Sequence, residues 1–151
     1  MTRIYLSTYI NAPIYAVFDA ARNIDLHMDS ATKTKEKAIT GRTSGCIELD
    51  ETVTWRGKHF GLFLTHTSKI TSLNYPYQFT DEMIKGHFKT FKHQHIFKTT
   101  KNGTDMIDIL DYQTPYSFLG MLFDKWALKK HLTTFLYERN QYIKNTIDNT
   151  I

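Results

Sequence analysis

The stretch FKHQHIFKTTKNGTDMIDILDYQ, residues 91–113, decides how this chain is to be read. Asn102-Gly103 sits between two extended runs, and Asn-Gly is a strong hairpin signal because both central positions of a type I′ turn need positive φ. A two-residue turn there pairs Lys101 with Thr104. Phe97 then lies opposite Asp108, His95 opposite Leu110 and His93 opposite Tyr112. Alternate residues of a strand share a face, so Phe91, His93, His95, Phe97, Met106, Asp108, Leu110 and Tyr112 form one mostly apolar face that points inward. The other face carries Lys92, Gln94, Lys98, Asp111 and Gln113, with Ile96, Ile107 and Ile109 as exceptions.

Upstream, YQFTDEMIK reads as the preceding strand. A two-residue turn at Gly86-His87 would set Thr80 opposite His93, whereas a three-residue loop over 86–88 sets Asp81 there. The second register also turns Phe79 and Met83 inward and is preferred. Further back, ELDETVTWRG and KHFGLFLTHTSKI form a hairpin across Gly57-Lys58 that pairs Trp55 with Phe60, Val53 with Leu62 and Glu51 with Leu64. Thr52, Thr54, Arg56, His59 and Thr65 then fall on the outer face. Residues 30–46 hold a loop and one ragged strand. The first strand is RIYLSTYI (3–10), followed by a short helix over 14–23 with Asn11 as a cap and Pro13 at its first turn, and by a helical turn over Ile24 to Asp29.

After Thr114-Pro115 the period becomes helical and stays so to the end. Phe118, Leu119, Leu122, Trp126, Leu132, Phe135, Leu136, Tyr142, Ile143 and Ile147 recur at threes and fours, with Ser117 as the cap. A helix of about thirty residues is roughly 45 Å long, and its apolar stripe needs a sheet to cover it. The fold class is therefore α+β: one strand, two short helices, an antiparallel run of about six strands and a long C-terminal helix. Residues 1–151 read as one domain.

Composition narrows the function. The chain is 41% hydrophobic and 14% aromatic, enough to bury a core, and the surplus of rings can fill that core or line a cavity. A net charge of +4 comes from scattered basic residues, and KTKEK (33–37) reads as a solvated loop, so no nucleic acid is expected as a partner. No stretch approaches the roughly 20 apolar residues of a membrane span, and no stable membrane insertion is expected. The N-terminus shows no secretory pattern and Cys46 is the single cysteine, which together point to a cytoplasmic protein.

Four segments resemble a known superfamily: INAP…VF near the start, DETVTWRGKHFG (50–61), ITSLNYPYQFTDEMIKGHFKTFKHQHIF (70–97) and GTDMIDILDYQTP (103–115). Together they are similar to the SRPBCC superfamily, in its START-like and polyketide-cyclase-like branch, and most of all to bacterial ligand-binding SRPBCC domains. The resemblance implies a helix-grip fold, in which a curved antiparallel sheet wraps the C-terminal helix and leaves a cavity for a small, largely apolar ligand. It implies no single reaction, because carriers, cyclases and oxygenase domains share the fold.

The residues support several chemistries. His-x-His on a strand puts both rings on one face, about 7 Å apart at Cβ, and Asp81 and Asp108 could complete a polar cluster. Inward histidines are more often held by Asp or Tyr than by metal, so no metal and no cofactor are expected. Acid–base catalysis by His93, His95, Asp108 and Tyr112, as in a cyclase or dehydratase, is the alternative to a noncatalytic binding module. Neither a G-x-S-x-G motif nor a reactive cysteine setting supplies a nucleophile. Arg139 reads as a snorkelling side chain that could instead meet an acidic group such as Glu51.

The expected ligand contacts are Trp55, Phe60, Leu62, Phe79, Asp81, Phe91, His93, His95, Phe97, Asp108, Leu110, Tyr112, Phe123 and Trp126. The partner is then a small hydrophobic molecule such as a lipid, an aromatic or a polyketide-like compound. Exposed Ile96, Ile107 and Ile109 would provide a homodimer patch.

Overall fold

A computed structural model describes residues 1–150. Seven strands form one antiparallel sheet: β1 (Thr2–Ile10), β2 (Lys37–Gly41), β3 (Thr52–His59), β4 (Leu62–Asn74), β5 (Gln78–Lys85), β6 (Thr90–Thr99) and β7 (Thr104–Gln113). Their order across the sheet is β1-β7-β6-β5-β4-β3-β2, so the chain adds strands backwards from β7 and closes with β1 at the far side of β7. Two short helices, α1 (Ile14–Ala21) and α2 (Ile24–Ser30), follow β1, and the C-terminal part is helical over α3 (Ser117–Phe123), a π-helical turn (Asp124–Leu128) and α4 (Lys129–Asp148). The sheet is curved and wraps α4.

The β6–β7 hairpin corrects the expected register by two residues. Thr99 pairs with Thr104, Phe97 with Met106, His95 with Asp108, His93 with Leu110 and Phe91 with Tyr112. The connection is a four-residue loop in which Thr100 N–H donates to Gly103 O, and neither Asn102 nor Gly103 has positive φ. Gly103 is needed for close approach instead, since a Cβ there would lie 2.3 Å from Ile10 O. A shift of two leaves every side chain on its expected face, so the inward set survives. Asp81 pairs with His93, the register preferred from the inward placement of Phe79.

The β3–β4 hairpin is displaced further. Its turn is Phe60-Gly61, with φ of 50° and 78°, and β3 runs on through Gly57 to pair His59 with Leu62, Trp55 with His66 and Val53 with Ser68. Gly57 marks a crowded strand position, where a Cβ would meet the His59 and Glu36 side chains at 3.1 and 3.4 Å. Continued alternation brings His59 to the inner face, against the sequence reading. Phenylalanine at positive φ is uncommon, and for that reason Phe-Gly ranks low as a turn signal.

Two further expectations change. Pro13 rather than Asn11 precedes α1, and Ser117 does not cap α3: Tyr116 and Ser117 both have positive φ and reverse the chain after β7. The π turn interrupts the long helix, and one extra residue in a turn rotates the downstream apolar stripe by about 100°. Trp126 sits in that turn and is 84% exposed, neither core nor wall. The isoleucines of the outer face are not an exposed patch, because Ile107 is buried and Ile96 and Ile109 are half-buried among the flanking strands.

Two apolar clusters hold the layers together. One gathers Phe18 of α1 with Phe79, Phe97, Met106 and Ile143. The other gathers Ile4, Leu110, Tyr112, Leu128, Leu132 and Leu136. Along β7 the sequence Met106, Asp108, Leu110 passes from the first cluster through a buried carboxylate to the second.

Candidate functional site

Between the sheet and α4 lies a cavity of about 600 Å³. Of the fourteen residues expected to contact a ligand, Trp55, Phe60, Phe79, Asp81, Phe91, His93, His95, Leu110 and Phe123 line it. The other five do not. Phe97 packs on Phe18 at 5.0 Å in the core, Asp108 lies behind the histidine rings, and Leu62 and Trp126 are exposed outside the cavity. Tyr112 is fully buried and its hydroxyl donates to Asp124, at some remove from the histidines it was expected to assist.

The polar end of the cavity is built on Asp108, which has no contact with solvent. His93 Nε2 donates to Asp108 Oδ1 at 2.9 Å, and Asn140 Nδ2 donates to Oδ2 at 2.6 Å. His95 Nδ1 approaches the same Oδ1 at 2.8 Å, as an ion-pair contact poorly directed for a hydrogen bond, while its Nε2 lies 3.1 Å from Asp81 Oδ2. Arg139 Nη1 stands 3.6 Å from Asp108 Oδ1, and Arg139 also donates to Ala21 O and Asn140 Oδ1. Arg139 is thus a buried partner of Asp108 and neither snorkels nor meets Glu51, which is held by Arg42. Phe79 stacks on the His95 ring at 4.1 Å and fixes its plane.

Burial works against charge on all four titratable groups of this layer, and the neighbours decide the outcome. At Asp108 the two histidines overcome burial and hold the carboxyl well below its ordinary range. At Asp81 the same rings lower it to about 2. Burial opposes a proton on His95 too, but Asp108 and Asp81 outweigh it and raise its pKa, whereas for His93 burial prevails, reinforced by His95, and the pKa falls. The histidine charge is thus favoured on His95 over His93, and with Arg139 it faces the two carboxylates Asp81 and Asp108. Buried charges persist where they are compensated in this way.

Asp81, His93 and His95 are the described residues that bring three metal-ligating atoms within 4.8 Å of one another. His95 Nε2 and Asp81 Oδ2 are themselves 3.1 Å apart.

A second polar group, which the sequence reading missed, stands nearer the mouth. His27 Nε2 donates to Glu36 Oε2 at 2.7 Å, and the His27 ring packs at a tilt against Trp55 with centroids 4.2 Å apart. Despite burial, that bond and the nearby histidines lower the Glu36 pKa. His59 Nδ1 and His131 Nε2 are 2.9 Å apart, and His66, Phe88 and Phe135 complete this side. No local signal marks these residues. They meet because β3, β4, α2 and α4 converge, and only the inward parity of His66 with Leu64 could have suggested one of them.

This architecture has close counterparts among solved structures. The protein TTHA0849 from Thermus thermophilus superposes with a TM-score of 0.70 at 15% identity, covering 94% of this chain and 97% of that one. Ara h 8.0201 gives 0.68 at 9% identity over 94% and 97%, and ginseng major latex-like protein 151 from Panax ginseng gives 0.65 at 14% over 96% of each chain. The chain has the helix-grip fold. At such identities the likeness extends to the helix-grip fold alone. The sequence matches no family profile and no curated protein.

Proposed function

We propose that this chain, acting as one cytoplasmic domain, binds a small, largely hydrophobic ligand between the sheet and α4, as the SRPBCC resemblance implies. The observation that carries this reading is the cavity itself: about 600 Å³ with aromatic and aliphatic walls, the Asp81, His93 and His95 group at one end and a second polar group of His27, Glu36, His59 and His131. Pockets of this size suit drug-sized molecules, whose apolar area supplies affinity while a few polar groups fix orientation. Trp55, Phe91, Leu110 and Phe135 supply area, and Asp81 and His93 supply the orienting contacts. A lipid, an aromatic or a polyketide-like compound with one hydroxyl or amine at its end matches that division. Native mass spectrometry and a thermal-shift screen of such compounds test it, with Leu110→Trp, which fills the cavity, expected to abolish the shifts. No shift across a broad screen would sink the reading.

One observation favours proton transfer as a second reading. His93 lies at the cavity wall with Nε2 2.9 Å from Asp108 Oδ1, which leaves Nδ1, 3.8 Å from Asp81 Oδ2, as the ring nitrogen placed to take a proton. A cyclase or dehydratase could use it as general base. Since Tyr112 is engaged elsewhere, the ligand or His95 would supply the acid. His93→Gln should then abolish turnover of a bound polyketide while changing its affinity little. Equal loss of both would argue for binding only.

A further inference from the structure

The mouth of the cavity carries an apolar surface that extends beyond the cavity walls. Along the chain from α3 to the π turn, Phe118, Leu119, Met121 and Trp126 are 70%, 73%, 67% and 84% exposed. Across the mouth, the β3–β4 turn presents Phe60 and Leu62, and the Phe60 and Phe123 rings meet at 5.1 Å to join the two sides. Scattered single apolar residues are ordinary on a surface, whereas large exposed side chains gathered around one cavity mouth point to an interaction site.

Charge says what kind of partner it fits. From Thr114 to Tyr137 the one acidic residue is Asp124, which is buried and bonded to Tyr112 and Thr2. From Thr52 to Thr80 there is none. Lys58, Lys125, Lys129 and Lys130 are all exposed on these same two segments, and Arg56 stacks on Phe63 at 4.4 Å. Aromatic and aliphatic side chains within an acid-free basic collar match an anionic lipid interface, where rings and alkyl chains enter the headgroup boundary and lysines meet the phosphates. The apolar groups sit on two projections, α3 with the π turn and the β3–β4 turn, bridged by the Phe60–Phe123 contact. A bilayer can conform to that relief, while a folded protein would have to fill it.

We propose that this face docks reversibly on anionic lipid surfaces with the cavity mouth against the bilayer. Docking of this kind is interfacial, and no described helix is long and apolar enough to cross a membrane. Transfer of a ligand through the mouth additionally depends on the cavity reading above, whereas the docking does not.

The test is flotation of the full chain with vesicles of phosphatidylcholine alone and of phosphatidylcholine mixed with phosphatidylserine. Binding should be tenfold or more tighter to the mixed vesicles, since each basic residue near such a surface contributes about 1 kcal/mol, and it should weaken with salt. The double variant Phe118→Ser, Trp126→Ser, which alters only exposed groups and no charge, should lose most binding at unchanged thermal stability. Lys129→Glu, Lys130→Glu should remove the preference for phosphatidylserine. Brominated acyl chains should quench Trp126 emission in the bound state. Leu110→Trp, which blocks the cavity, should float as the parent does, so a failed ligand hypothesis leaves this outcome intact. The proposal is overturned if the parent protein floats with neither vesicle, if the double serine variant binds as well as the parent, or if size-exclusion shows that this face pairs two copies and is thereby hidden from vesicles.

Discussion

His93 Nε2 lies 2.9 Å from Asp108 Oδ1, with both side chains at the polar end of the cavity and the carboxylate wholly shielded from water. Because Asp108 also faces His95, Arg139 and Asn140, it joins β6, β7 and α4 at one point. Removing it leaves Arg139 facing no carboxylate and His95 with Asp81 alone. Asp108→Ala is expected to cost about 3–5 kcal/mol, a fall in Tm of roughly 6–20 °C for a chain of this size. Thermal unfolding followed by circular dichroism checks this, and a shift of a degree or two would refute the assigned role.

The two histidines should respond to pH in opposite senses. His95 has its pKa raised in the folded state, so its contribution to stability is complete below its unfolded value near 6.5 and is lost as pH rises through the higher folded value. For His93, lowered in the folded state, the unfolded chain takes up the proton first, and stability falls as pH drops below about 6.5. His95→Gln should therefore be most damaging in acid, and His93→Gln should flatten the acid-side loss. Urea titrations between pH 5 and pH 8, about the span in which histidines change charge, will show whether the two curves diverge as stated.

Asp81 supplies an acid limit of its own. Its pKa of about 2 lies below the ordinary 3.8, so the stability it contributes is present above the ordinary value and lost as pH falls from there through about 2. Replacing it with Asn should erase that part of the acid transition while sparing stability at neutral pH more than Asp108→Ala does, because Asp81 borders the cavity and can be rehydrated.

Tyr112 offers a test of the site's boundary. Its hydroxyl bonds Asp124, and burial together with that carboxylate raises its pKa. Tyr112→Phe leaves a buried acceptor short of one donor and should cost about 1–3 kcal/mol. Ligand affinity should be unchanged, as measured by titration calorimetry with any compound that shifts the melting curve.

The β6–β7 connection can be probed at two adjacent residues. With no positive φ at Asn102, Asn102→Ala should fall within about 0.5 kcal/mol of the parent. Gly103→Ala must push a methyl against Ile10 O, 2.3 Å from the ideal Cβ position, and should destabilise by more than about 1 kcal/mol, the cost of local backbone strain. Equal effects at both sites would restore the type I′ reading.

The sequence by itself determined the order of elements and the parity of β6 and β7. Alternation is a local property, and it turned His93, His95, Phe97 and Asp108 inward even though the hairpin register was off by two. Helical spacing likewise found α4 and its buried Leu132, Leu136 and Ile143. What tertiary structure alone decided was who meets whom. Gly57 and Gly103 looked like turn formers, but Gly57 lies within a strand, close against the His59 side chain, and Gly103 is required by the distant Ile10 O. The π turn moved Trp126 from an expected core stripe to the surface, and Arg139 became a buried partner of Asp108 on the far layer. The pairing of His27 with Glu36 and of His59 with His131 has no sequence signature at all, because it arises from the convergence of separate elements. Periodicity reports which way a side chain points, and long-range packing reports what waits for it there.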